Sequence, residues 1–154
     1  MALRDDLGGK FRIDVVVAYP VSWLLLQAVA ILAFSYFAAV YHHFRALGLA
    51  YAGLSAVLLG FVAYASARHG EKVFYGFISV ALTVLLAWLL LLLSRYLYRN
   101  VEAWRDLMQG DFLVHFNRAA RIGMKVRWIW AMAAGLTVLG AFGGTRAARP
   151  RRID

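Results

Sequence analysis

Four stretches of this chain carry no charged side chain: Val15 to Phe44, Ala46 to Ala67, Val73 to Ser94 and Trp128 to Thr145, of 30, 22, 22 and 18 residues. A helix rises about 1.5 Å per residue, so about 20 residues cross a hydrocarbon layer about 30 Å thick. Inside that layer no water reaches the backbone, and a helix is the element that satisfies its own amides. The expectation is therefore an all-α integral membrane protein, a four-transmembrane-helix bundle forming a single membrane domain. Composition agrees, since 63% of the 154 residues are hydrophobic, where a soluble domain stays near half. The same runs exclude a disordered chain, a disulfide scaffold, a zinc-finger module and a soluble nucleic-acid binder. With no cysteine, disulfides, thiolate metal sites and thiol catalysis are excluded together.

The spans are expected at about residues 18–43, 46–67, 73–98 and 125–143. Tyr19-Pro20 marks the start of the first, because proline is tolerated in the first helical turn. The polar N-terminus, Met1 to Asp14, leads into an apolar run longer than a signal-peptide core and is read as retained. The connection from His42 to Gly48 is so short that the first two spans form a tight antiparallel hairpin. In the second span Gly48, Ala52, Ala56 and Gly60 recur every four residues and line one face. Small residues at that spacing let helices approach closely in lipid, where van der Waals packing drives association. The partner of that face is the first or fourth span of this chain, or else another copy or another subunit. The third span is almost all leucine from Leu85 to Leu93 and reads as lipid-facing, anchored by Arg95, Tyr96, Tyr98 and Arg99. The fourth is the shortest; it carries Gly135 and Gly140 as further packing positions and Gly143-Gly144 at its exit.

Between spans three and four, at about residues 99–122, lies an amphipathic loop. Leu97, Val101, Trp104 and Met108 recur at helical spacing, with Arg99, Glu102, Arg105 and Asp106 elsewhere on the wheel. Gly110 can stop that helix and Asp111 can cap the next. The second piece sets Phe112, Leu113, Phe116, Ala119 and Ala120 against His115, Arg118, Arg121 and Lys125. An interfacial amphipathic helix pair in the headgroup plane fits this pattern. Its residues for docking lipid or a partner are Arg99, Trp104, Arg105, Met108, Phe112, Phe116, Arg118 and Arg121.

The net charge of +9 reads as attraction to anionic lipid and not to nucleic acid, because the cations sit beside apolar spans. The tail at residues 145–154 is a polybasic stub of the same kind. Arginine outnumbers lysine 14 to 3, a bias of GC-rich genomes that points to a bacterium and its inner membrane. Orientation is not fixed. Four crossings put nine basic residues on the side of the N-terminus and eight on the other, and the positive-inside rule needs an excess. Leaving the fourth segment out of the membrane would satisfy the rule better, but its 18 uncharged residues include Trp128, Trp130, Leu136 and Leu139, which favour crossing.

No Asp, Glu or Lys lies within an uncharged run, and no central proline breaks a span; ion-coupled transporters keep such features at mid-membrane. Gln27 is the one strongly polar group deep in the first span and is expected in an interhelical hydrogen bond. His42, His43 and His115 are weak candidates for metal, haem or a quinone pocket, and no cofactor is expected. Motifs for metalloprotease, serine-hydrolase or phosphate-loop chemistry are missing. Glu102 and Asp106 form an i,i+4 pair beside Arg99 and Arg105, which fits a solvated salt-bridged face. The expected role is a small non-enzymatic subunit or accessory of a transport, secretion or respiratory complex, with other membrane subunits or itself as partner. The alternatives are a homo-oligomeric, holin-like pore, for which Ser55 and Ser66 make a poor lining, and a haem- or quinone-associated subunit.

Overall fold

The computed structural model describes residues 12–148, the side chains of Asp111 and Phe112 excepted. The Phe112 docking side chain, the N-terminal segment through residue 11 and the tail from residue 149 lie outside that set. The described residues form helices throughout: α1 (Ile13–Tyr41), α2 (Phe44–Gly70), α3 (Val73–Asn100), α4 (Glu102–Gln109), α5 (Asp111–Met124) and α6 (Arg127–Ala148). α1, α2, α3 and α6 are long and apolar enough to cross a membrane, so the protein is a multi-pass α-helical membrane protein.

Helix α1 begins five residues before the expected start, and Pro20 lies buried inside it and not in its first turn. Proline lacks the amide that would bond the carbonyl four residues back, but the turn before it is held from outside. Val15 and Val16 are buried. The backbone amide of Arg12 donates to Tyr75 Oη at 3.1 Å, and its guanidinium donates to the His69 carbonyl at 3.2 Å. The same guanidinium pairs with Asp14 at 2.9 Å. Tertiary contacts thus extend the helix past the point where proline alone would end it.

The α1–α2 hairpin closes through two residues. His42 adopts the left-handed conformation (φ 55°, ψ 13°) and its amide donates to the Ala38 carbonyl at 3.2 Å. The two helices then run antiparallel: Phe34 meets Tyr51 edge-on at 5.6 Å, and Tyr19 Oη lies 2.7 Å from His69 Nδ1. Between these levels Ser55 Oγ shares its one proton between Gln27 Oε1, at 3.2 Å, and the Tyr51 carbonyl, at 2.9 Å. The polar group expected in an interhelical hydrogen bond makes one.

Helix α3 returns antiparallel to α2, with Gly76 set against Ala63 and Ala141. Its buried positions, Tyr75, Gly76, Ser79 and Thr83, stop halfway along. Beyond them Leu85 and Leu89 to Leu93 each keep 37–51% of their surface exposed. Val101, in extended conformation, ends α3; Gly110 ends α4 and itself occupies the N-cap position of α5, so Asp111 is the first helical residue and not the cap.

Helices α5 and α6 are one rod broken at Lys125 and Val126, and together they run parallel to α2. The break leaves carbonyls without the usual amide partners. Val126 donates to the Gly123 carbonyl at 3.1 Å, and the Trp130 indole donates to the Met124 carbonyl at 3.0 Å. α6 continues five residues past the expected 143, so Gly143 and Gly144 are inside the helix rather than at its exit.

Candidate functional site

Two arrangements bring the sequence's marked residues together: a small-residue seam along α2, and a cationic corner at the α1–α2 turn. The seam joins α2 to α5 and α6. A Cβ placed on Gly48 would overlap the Ala119 carbonyl oxygen, and one on Gly123 would overlap the Gly48 carbonyl oxygen, so the backbones touch reciprocally. Further along, Ala52 and Ala56 bury against Ile129, with Leu49, Val126, Met132 and Ala133 around them. Then Gly60 faces Leu136, and a Cβ on Gly140 would overlap the Gly60 carbonyl oxygen. The seam ends on Ala63, Ala67 and Ala141. Glycine and alanine are what allow this approach, because any larger side chain holds two helices at the usual 8–10 Å.

Of the six packing positions expected from sequence, Gly48, Ala52, Ala56, Gly60 and Gly140 are on the seam. Gly135 is not, since a Cβ there would meet nothing within 4 Å. The face that could have served a second copy or a partner is covered by α5 and α6 of the same chain. Three seam residues are not among the expected packing positions: Ala119, Gly123 and Gly144, the last set against the Tyr64 carbonyl oxygen. Their signal was present as Ala119-xxx-Gly123 and Gly140-xxx-Gly144, the same four-residue spacing seen in α2.

The docking residues separate. Phe116 is buried, edge-on to Tyr51 at 5.0 Å, so it anchors α5 inside the bundle and does not project toward lipid or partner. Ala119, Ala120 and Gly123 are buried beside it. Arg105 spends its guanidinium on the end of α3, donating to the Tyr98 and Arg99 carbonyls at 3.3 Å each, where cations complement the helix dipole. Trp104 and Met108 are half-buried, and Trp104 Nε1 is enclosed without a hydrogen-bond partner. Arg99, Arg118 and Arg121 are exposed.

The histidines form a pair plus a neighbour. His42 and His115 meet with ring centroids 5.3 Å apart and planes at 76°. His115 also stacks on Phe44 at 5.5 Å, and the Arg118 guanidinium lies 5.0 Å from the centre of that same ring. His43 is exposed next to them and, with His42, Phe44, Arg45, Ala46 and Leu49, lines a shallow open depression. Among the described residues no three metal-ligating side chains converge.

No protein-family model, curated protein or solved structure matches the chain.

Proposed function

We propose that this protein is a small non-enzymatic subunit or accessory of a larger membrane assembly, of transport, secretion or respiratory type, in a bacterial inner membrane. It acts by helix packing and by docking lipid and partner surfaces. The observation that supports this reading is the asymmetry of α3. Its first half is packed on α1, α2 and α6, whereas Leu85 and Leu89 to Leu93 leave a long leucine face exposed, and the attached α4 has no fully buried residue. On this reading α4 lies along the membrane surface at headgroup level, and α5, packed on α2, leads from it down into the seam. The seam gives the rigid body on which that face is presented. Ser55 turns toward Gln27, and Ser66, Ser79 and Thr83 are fully buried, which supports an interior role for these hydroxyls over a lining shared between copies.

The test is gentle detergent extraction of a tagged chain from its native membrane, followed by sizing and mass-spectrometric identification of what travels with it. A stoichiometric set of other membrane proteins is the expected result. A clean homo-oligomer would overturn the subunit reading in favour of a pore, to be measured as solute flux through liposomes.

A further inference from the structure

The corner where α1 turns into α2 gathers two arginines and three histidines. His42 and His43 come from the turn, Arg45 from the first turn of α2, and His115 and Arg118 from α5. Four of the aromatic and cationic groups are stacked in sequence: Arg118 over Phe44 at 5.0 Å, Phe44 on His115 at 5.5 Å, His115 against His42 at 5.3 Å. Among the described residues, none of these side chains pairs with a carboxylate; the Arg12–Asp14 ion pair is at the other end of the bundle. Arg118 is therefore oriented by a ring face, which leaves its five N–H donors for another acceptor. His42 is held in the left-handed backbone conformation, unusual for a residue with a Cβ. Beside the stack lies the open depression lined by His42, His43, Phe44 and Arg45. Its height is that of Arg45, the charge separating the first two apolar runs, where lipid phosphates lie.

We propose that this corner is a binding site for the phosphate of an anionic lipid headgroup, contacted by Arg45 and Arg118 and held more tightly when His42, His43 and His115 are protonated. Guanidinium groups match phosphate oxygens as two-pronged donors, and a protonated imidazole donates from both nitrogens. The charged groups on the neighbouring elements are Arg45 on α2 and Arg118 and Arg121 on α5. Asp111, one turn before His115, is the acid nearest in sequence, and its side chain lies outside the described residues. The proposal holds whichever assembly the chain joins.

The experiment uses the full chain in phosphatidylcholine nanodiscs containing about one-tenth phosphatidylglycerol, with native mass spectrometry counting the lipids retained. Phosphatidylglycerol is a phosphodiester with constant charge between about pH 6 and about pH 8, so any change over that interval comes from the protein. The expected result is enrichment of phosphatidylglycerol at about pH 6, falling severalfold at about pH 8. Arg118→Gln should lower the enrichment about fivefold, in line with one surface cation near anionic lipid. His42→Gly, which suits the left-handed backbone and so keeps the turn, should weaken the pH dependence; it provides the reading if the Arg118 variant fails to fold. Absence of enrichment at the lower pH, or enrichment unchanged in both variants, overturns the proposal. Enrichment that is the same at both pH values overturns the role of the histidines. In a second arm, inorganic phosphate is added to pure phosphatidylcholine nanodiscs and followed by phosphorus NMR. Binding there that the same variants abolish, without phosphatidylglycerol enrichment, assigns the site to free phosphate and overturns the lipid as its ligand.

Discussion

A methyl group at Gly48 has nowhere to go, because the carbonyl of Ala119 occupies its place, while a methyl group at Gly135 points into open space. The two glycines look alike in the sequence, both in apolar spans, and they should behave oppositely. Gly48→Ala should destabilise the protein by about 1–3 kcal/mol, the range for overpacking a tight contact. Gly135→Ala should be neutral or stabilising by up to about 1 kcal/mol, from helix propensity alone. Reversible unfolding in mixed micelles measures both, and equal effects would contradict the seam. Ala56→Leu should be worse than either, since Ala56 is 2% exposed against Ile129; it should lower the stability of the isolated chain, not only its assembly with others. The four-residue spacing in α2 was legible at this scale. Which glycine of α6 it would meet was not, because spacing marks a face and leaves its neighbour open.

At the scale of elements, the break between α5 and α6 falls at Lys125 and Val126, within two residues of the start expected for the fourth span. What the sequence left unread is the packing of the segment before it: α5 lies on α2 through Phe116, Ala119 and Gly123 before the chain bends at Lys125. The bend is closed by Trp130, whose indole bonds the Met124 carbonyl at 3.0 Å. Trp130→Phe removes that donor while keeping an aromatic ring. It should cost about 1 kcal/mol, the net worth of one hydrogen bond, and should speed amide exchange at residues 125–129 more than in α2. Uniform exchange across both would argue that the bend does not depend on the indole. Helix α1 is displaced further, beginning five residues before the expected start. Pro20 gave a sound local start signal, but Val15, Val16 and the Arg12 contacts to Tyr75 and His69 outweighed it.

For the whole molecule, four long helices put the α1–α2 turn and the α3–α4 junction on one side, and the α2–α3 turn and the end of α6 on the other. A chain with no cysteine allows a direct check with single introduced thiols. Membrane-impermeant maleimide on right-side-out vesicles should label His43→Cys and Asn100→Cys alike, and treat Glu71→Cys and Ala147→Cys alike in the opposite sense. Ala147→Cys reacting together with Asn100→Cys would mean that the fourth segment does not cross. Nine basic residues against eight left the absolute orientation open, and helix geometry leaves it open too, since the fold is the same from either side.

The number and approximate place of the apolar helices were determined by the sequence alone, because backbone solvation in hydrocarbon is settled segment by segment, within each uncharged run. Gln27, the one strongly polar group in α1's interior, was likewise bound to find a partner wherever the helices packed. Only the tertiary structure decided that α2 gives its small face to α5 and α6, that Gly135 is left off the seam, and that His115 reaches His42 across more than 70 residues. In lipid every apolar face is equally content with acyl chains, so hydrophobicity does not select among helix pairings. The selection falls to atomic fit, to which backbone can approach which, and that is a property of two surfaces together and of neither sequence segment by itself.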